Sequence, residues 1–173
     1  FWVGGSNISD MQNWHKLFNY EGDANNTLSS LWTVDYSGIK RCNDVLKYIG
    51  YAAGNLTDTN KKWYEMQART LRVFYYNMLW HYFGNIPFYL TNMESPYKAP
   101  QLKADDVYSQ LIVELEDILK NGDLPMKMSK TADYGRVTKA FAIMMYAEMV
   151  MYQNDQSRYA TALTYLQEII GST

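Results

Sequence analysis

The sequence predicts an all-α protein of helical hairpins, some of them tetratricopeptide-like pairs, with an irregular N-terminal segment. From about residue 30 onward, apolar residues recur at intervals of three and four, as on one face of a helix. Gly, Asn and Pro fall where this pattern stops, and no stretch shows the alternation typical of a strand. We therefore divide the chain into an irregular surface segment, residues 1–30, and a helical domain, residues 31–173.

Composition limits the class of protein. A chain of 173 residues with 47% hydrophobic and 20% charged side chains can bury a substantial core and is not disordered. The formal net charge of −2 gives no basic surface, which argues against a nucleic-acid partner. Aromatic residues reach 16% with 16 Tyr and 5 Trp, a mild indication of a recognition surface.

Residues 1–30 are rich in Gly, Asn, Ser and Asp and carry isolated aromatic side chains, with one short helical turn expected at 10–17. A long ordered loop is more often functional than merely connecting. Aromatic rings can stack on the apolar face of a sugar while amides and carboxylates bind its hydroxyls. The candidate ligand residues are Trp2, Trp14 and Tyr20 for stacking, and Asp10 and Asn13 for hydrogen bonding; the alternative is that the segment is an ordinary packed loop.

The first long helix is predicted at residues 30–50, with Ser30 as its N-cap and Gly50 at its end. Asn43 lies on its apolar face, so its amide must find hydrogen-bond partners inside the protein. A second helix follows at residues 60–82, where Glu65 and Arg69 have the i, i+4 spacing of an ion pair.

The second half of that helix opens the aromatic stretch FYYNMLWHYFGNIPF, residues 74–88. Such a stretch can be a ligand platform, a membrane-surface patch or a crowded core. Because its aromatics occupy every side of the helix, we expect neighbouring helices to enclose most of them. Gly84 ends the helix and Pro87 prevents it from resuming, and Arg72 is a possible partner of Tyr76, one turn away.

Three further helices are predicted at residues 104–121, 137–152 and 159–170, with Ser157 capping the last. The last two form an antiparallel pair spanning 34 residues, from 137 to 170, which is the period of a tetratricopeptide repeat. Repeats of this kind stack into partly solenoid-like arrays.

No catalytic residue, metal site or cofactor is predicted. The two histidines, His15 and His81, are interpreted as a loop residue and a core residue, and Cys42 as an inert buried thiol. No spacing of Cys and His suits zinc. The carboxylates on the third helix are interpreted as complementing its dipole or lying on its solvated face; they are Asp105, Asp106, Glu114, Glu116 and Asp117.

Four segments in order resemble motifs of the SusD/RagB family of outer-membrane nutrient-binding lipoproteins of Bacteroidetes. They are LWTVDYSGIKRCNDVL, QARTLRVFYYNMLWHYFGNIPFYL, ADDVYSQLIVELEDILKNGDLP and YGRVTKAFAIMMYAEMVMY, which together cover most of residues 31–170. The chain departs from the family pattern at Gln67, Val73 and Asn85. These departures indicate a divergent member and leave the fold expectation unchanged.

The resemblance implies a helical, non-catalytic protein tethered by a lipid to the outer membrane at the cell surface. Such proteins capture oligosaccharide and pass it to a SusC-like TonB-dependent transporter. Because family members are much longer, we expect this chain to be an N-terminal portion. It would then lack the lipidated Cys, a role that Cys42 cannot fill from within a helix.

Two alternatives remain open at this point. The protein could be a helical-repeat scaffold whose partner is the porin alone, contacted through the exposed faces of the last two helices. It could also be a peptide-binding, RagB-like member of the same family. An enzyme is the least expected class, because two scattered histidines and unorganised carboxylates offer no catalytic group.

Overall fold

The computed structural model describes residues 9–52, 54 and 56–172. The chain divides into two compact units, residues 1–34 and residues 35–173. Within the described residues, the structure has six α-helices and one two-stranded ribbon. The predicted all-α class is confirmed, since the ribbon involves only two residues on each strand.

The first unit contains the short helix α1, Gln12–Phe18, and the beginning of α2, Ser29–Tyr48. Helix α1 begins within the predicted turn at 10–17 and ends one residue beyond it. Met11, directly before α1, has a left-handed backbone with φ 52°. The prediction that Ser30 caps the next helix is wrong, because α2 already includes Ser29.

The second unit continues α2 into a 3-10 turn, Ile49–Tyr51, and then into the other long helices. These are α3, Asp58–Phe83; α4, Ala104–Asn121; α5, Lys139–Tyr152; and α6, Tyr159–Gly171. From α3 onward each helix packs on the next one along the chain. This order gives the stacked hairpins that the sequence predicts.

Side-chain caps fix where several helices begin. The Thr57 hydroxyl accepts from the Asn60 backbone N–H at 3.2 Å before α3, and the Thr138 hydroxyl accepts from Phe141 N–H at 3.1 Å before α5. The predicted Ser157 cap of α6 is wrong, because the N-cap position of α6 is Arg158 and no side chain caps it. Asp155 instead caps the 3-10 turn Gln156–Arg158 that precedes α6: its Oδ1 accepts from the Ser157 N–H at 3.2 Å and from the Ser157 hydroxyl at 2.6 Å.

The core lies between α3, α4 and α5, where the aliphatic stripes of these helices face one another. Its largest fully buried side chains come from these helices, with contributions from α2 and the ribbon; they are Tyr76, Tyr146, Ile39, Leu79, Ile86, Ile112, Leu115, Ile118, Ile143 and Met149. None of the helices in the described ranges combines the length and the apolar character needed to cross a bilayer.

The antiparallel ribbon pairs β1, Ile86–Pro87, with β2, Gln101–Leu102. It closes a loop over residues 88–100 and returns the chain to α4. The sequence did not predict it, because two residues are too few to show an alternating pattern. Gly84 ends α3 as predicted, with φ at 65°, a backbone conformation that suits glycine.

Asp105 and Asp106 are exposed in the first turn of α4, as predicted, but the interpretation of Glu114, Glu116 and Asp117 as a solvated face is wrong. Glu114 and Asp117 accept from the Arg69 guanidinium at 2.8 and 2.6 Å, so Arg69 joins α3 to α4 instead of pairing with Glu65. Glu116 accepts from Arg158 Nε at 2.7 Å and from the Tyr146 hydroxyl at 3.0 Å. These carboxylates tie helices together, a role that helical spacing within one segment cannot reveal.

Candidate functional site

The segment from residue 9 to 28 folds into a defined loop on α1. Asp23 Oδ1 accepts from the backbone N–H of Asn25 and of Asn26 at 2.7 and 3.0 Å, and from Asn26 Nδ2 at 2.9 Å. The bond from Asn25 is the largest cause that lowers the pKa of the Asp23 carboxyl, followed among the lowering causes by those from Asn26. This is an Asx turn, which the residues DANN encode locally.

Two side chains of α1 hold this turn in place. Asn13 Nδ2 donates to the Thr27 carbonyl at 2.8 Å, and Lys16 Nζ donates to Asn26 Oδ1. The Asn13 amide nitrogen, predicted as a hydroxyl partner, is therefore already used within the loop. Its carbonyl oxygen is the part of Asn13 left for a ligand.

The loop displays one aromatic ring almost completely. Tyr20 is 97% exposed and has a left-handed backbone with φ 60°, directly after the end of α1. A tyrosine in this conformation is uncommon, since β-carbon sterics disfavour positive φ. Asp10 and Trp14 are half-buried, and each already interacts with another part of the chain. Trp2 lies outside the described residues.

Phe18 is a surface aromatic residue that is not among the candidates predicted from the sequence. It is 50% exposed at the last position of α1, two residues before Tyr20. Half of this apolar side chain therefore faces solvent and offers area that a ligand could cover. Trp14 lies one helical turn earlier on α1 and is half-buried. The two aromatics differ in that Phe18 stands at the very end of the helix, a boundary that the sequence did not fix to the residue.

The aromatic stretch at residues 74–88 is largely core, as predicted. Tyr76 is fully buried and Trp80 nearly so, and Tyr76 packs against Phe88 with ring centroids 4.6 Å apart. Tyr82 is the exposed exception. The suggested pairing of Tyr76 with Arg72 is wrong: the Tyr76 hydroxyl donates to the Tyr89 carbonyl at 2.7 Å and accepts from the Tyr89 N–H at 3.0 Å.

An apolar groove of about 540 Å³ lies between α2 and α3. It is lined by aliphatic and tyrosine side chains, among them Val45, Tyr64 and Tyr75, and by Cys42. Burial raises the pKa of the Cys42 thiol to about 11, so it stays protonated and unreactive at neutral pH. Few hydrogen-bonding groups face this groove, which makes it unsuited to a sugar.

The acid–base groups in the part of the chain that the structure describes form no metal site. No group of three His, Cys, Asp or Glu side chains there could hold a metal ion. Burial lowers the pKa of His81, although the charge of Glu148 partly opposes this. A neutral imidazole packed on Tyr152, with ring centroids 4.1 Å apart, is consistent with a structural role.

Several solved structures are similar to this chain in both sequence and fold. No protein-family model and no curated protein matches the chain. Surface glycan-binding protein A from Bacteroides uniformis is 62% identical over 99% of this chain, with a TM-score of 0.91. Surface glycan-binding protein A from Bacteroides thetaiotaomicron, solved in complex with laminarihexaose, is 46% identical over 98% of the chain, with a TM-score of 0.85.

A laminarin binding SusD-like protein has the same fold, with a TM-score of 0.83 at 23% identity over 98% of the chain. The chain spans 38%, 34% and 35% of the lengths of these three structures, respectively.

Proposed function

The chain belongs to the SusD family, and we propose that the protein captures oligosaccharide at the cell surface without cleaving it. The observation that carries this proposal is the hydrogen-bonded loop at residues 9–28, which exposes Tyr20 in a segment rich in amide and carboxylate side chains. Stacking on an exposed ring combined with hydrogen bonds to fixed polar groups suits a sugar chain. The solved relative with laminarihexaose makes a glucose oligosaccharide the first probe.

In this proposal Tyr20 is the main stacking residue and Phe18 extends the apolar surface. Asn13 supplies its carbonyl oxygen to a hydroxyl, and Asp10, Trp14 and Trp2 remain proposed contacts. The protein is proposed to be held at the outer membrane by a lipid on a Cys outside this sequence. It would then deliver the sugar to a SusC-like TonB-dependent transporter, with no cofactor and no bond made or broken.

The test is calorimetric titration of the full-length protein with laminarihexaose. Phe18→Ala/Tyr20→Ala should weaken binding by about 1–2 kcal/mol, roughly five- to thirtyfold, because both changes remove stacking area and neither side chain is part of a core. Tyr134→Ala is the matched control, since it removes another exposed loop tyrosine. Equal affinity of the double variant and the wild type would refute this assignment of the site.

A scaffold role is supported by a separate observation. The outer faces of α5 and α6 expose Met144, Met151, Leu163 and Ile170, apolar side chains that a helical-repeat protein usually covers with a partner. We propose this face as the surface that contacts the transporter. Replacing Met151 and Leu163 by Glu should abolish co-purification with the transporter and leave sugar affinity unchanged; retained co-purification would contradict this assignment.

A further inference from the structure

A second cleft, of about 520 Å³, lies between the C-terminal half of α2 and the loop that follows β1. In contrast to the apolar groove, its lining is mixed in polarity. It is lined by Asn43, Leu46, Lys47, Leu90, Thr91, Asn92 and Glu94. Sequence reasoning assigned no function to any of these residues except a structural one to Asn43.

The wall of this cleft is fixed by hydrogen bonds to backbone carbonyls. The Tyr36 hydroxyl donates to Pro87 O at 2.7 Å, and Arg72 Nη1 donates to Leu90 O at 3.1 Å. Asn92 Nδ2 then donates to Asp44 Oδ1 at 2.6 Å and to Lys40 O at 3.2 Å, which ties the loop to α2. The loop therefore enters the cleft in a set position, a requirement for a preorganised site.

Several polar groups at this cleft have unused hydrogen-bonding capacity. The side chains of Thr91 and Glu94 form no hydrogen bond or ion pair with any part of the chain that the structure describes. The Lys47 ammonium lies 5.3 Å from the centroid of the Tyr48 ring, and its charge helps to lower the pKa of the Asp44 carboxyl, but it forms no hydrogen bond or ion pair within the described residues. Together they offer a hydroxyl, a carboxylate and an ammonium group to the cleft.

The floor of the cleft has an unmet donor. Asn43 is only 3% exposed, and its Oδ1 accepts from Arg72 Nη1 at 2.8 Å. Since guanidinium can only donate, this bond fixes which end of the amide faces Arg72. Asn43 Nδ2 is left without a partner among the described residues. A buried donor of this kind favours an acceptor oxygen nearby.

The loop also presents an aromatic ring on the turn that begins at Glu94, next to the residues that line the cleft. Tyr97 is 71% exposed, with a left-handed backbone at φ 53°. Its N–H donates to the Glu94 carbonyl at 2.7 Å, so a four-residue turn keeps Tyr97 close to Glu94.

We propose that this cleft is a second carbohydrate subsite, in which Tyr97 stacks on a sugar ring and Lys47, Thr91 and Glu94 bind its hydroxyls. The inference rests on the proposed function and adds residues outside the loop at 9–28. A sugar hydroxyl both donates and accepts, which matches a carboxylate beside an ammonium group. Because those two charges cancel, the cleft suits a neutral glycan, whereas a polyanion would meet Glu94.

The test is titration of the full-length protein with laminarihexaose, using two variants of the cleft. Tyr97→Ala should weaken affinity about five- to tenfold, and Thr91→Val/Glu94→Gln about three- to tenfold. All three side chains are exposed, so thermal midpoints should equal that of the wild type. Tyr134→Ala, an exposed tyrosine on another loop, should bind as the wild type does.

The outcomes separate the two proposals. Wild-type protein that binds no laminarihexaose would overturn the proposed function, and this subsite with it. Wild-type protein that binds, while both cleft variants bind equally well, would overturn the subsite alone. A loss in only one of the two variants would also overturn it, because stacking and hydrogen bonding are assigned to one ligand.

Discussion

At the scale of single residues, Arg72 joins three segments of the second unit. Its guanidinium donates to Asn43 Oδ1 on α2, to Leu90 O in the loop, and to Glu114 Oε1 on α4 at 3.1 Å. Burial opposes ionisation of Glu114, but Arg69 and Arg72 on balance lower the pKa of its carboxyl. Arg72 thus supports the wall of the second cleft and the packing of α3 on α4.

Arg72→Met should lower the free energy of unfolding by about 2–4 kcal/mol, because it leaves the Glu114 charge and the Asn43 oxygen with fewer partners. Urea denaturation of the purified protein measures this. Lys62→Met is the matched control: its ion pair with Asp123 is exposed, so it should cost less than about 0.5 kcal/mol. A loss equally small for Arg72→Met would contradict the assigned role.

Asp35 is a second residue with a consequence for stability. It is 3% exposed, its Oδ2 has no hydrogen-bond partner among the residues that the structure describes, and burial raises the pKa of its carboxyl from 3.8 to about 6. The folded state therefore binds this proton more tightly than the unfolded chain does. The stability that the folded state gains from holding this proton on Asp35 is fully present below about pH 4 and is lost as the pH rises through about 6.

Asp35→Asn removes this titration. Relative to the wild type, the variant should gain about 1–3 kcal/mol in free energy of unfolding between about pH 4 and pH 7. Denaturation curves of both proteins across this range measure the change. If the difference between the two proteins were constant with pH, the carboxyl of Asp35 would not be titrating with a raised pKa.

At the scale of elements, the packing of α2 on α3 depends on one glycine. A β-carbon at Gly38 would fall onto the ring of Tyr75, so only glycine allows α3 to present Tyr75 there. The apolar groove lies between the same two helices, and both Gly38 and Tyr75 line it. The contact of Gly38 with Tyr75 is therefore a main determinant of how α2 is held.

Gly38→Ala should lower the free energy of unfolding by about 1–3 kcal/mol, because overpacking outweighs the gain in helix propensity. Adding Tyr75→Leu should recover part of this loss, which a double-mutant cycle measures. Gly50→Ala is the control, since no described atom lies within 4 Å of its β-carbon position. Strictly additive effects of the two changes would show that the ring is not the obstacle.

The sequence predicted the long helices well because their patterns are local. Helices α3 to α6 begin within two residues of the predicted positions. Thr57 before α3, Thr138 before α5 and Gly84 at the end of α3 are all signals that lie directly next to the helix they bound. The pairing of Arg69 with Glu114 and Asp117 could not be predicted, since it joins residues 45 and 48 positions apart. Burial cannot be assigned from periodicity until the neighbouring helix is known.

At the scale of the whole molecule, the candidate sites were only partly predictable. Loop composition singled out Tyr20, which the structure shows to be exposed, but the internal bond of Asn13 and the exposure of Phe18 depend on the fold. No pattern in the sequence indicated the second cleft. Lys47 and Glu94 are separated along the chain by a long helix, and they line the same cleft only because Arg72 and Asn92 anchor the loop.

The central claim is that this protein holds an oligosaccharide intact and without a cofactor. Calorimetric titration of the full-length wild-type protein with laminarihexaose, followed by recovery and sizing of the sugar, tests it most directly. We predict saturable binding and recovery of the hexasaccharide at its original length. No heat of binding, binding of oligopeptides instead, or recovery of shorter sugars would contradict the account.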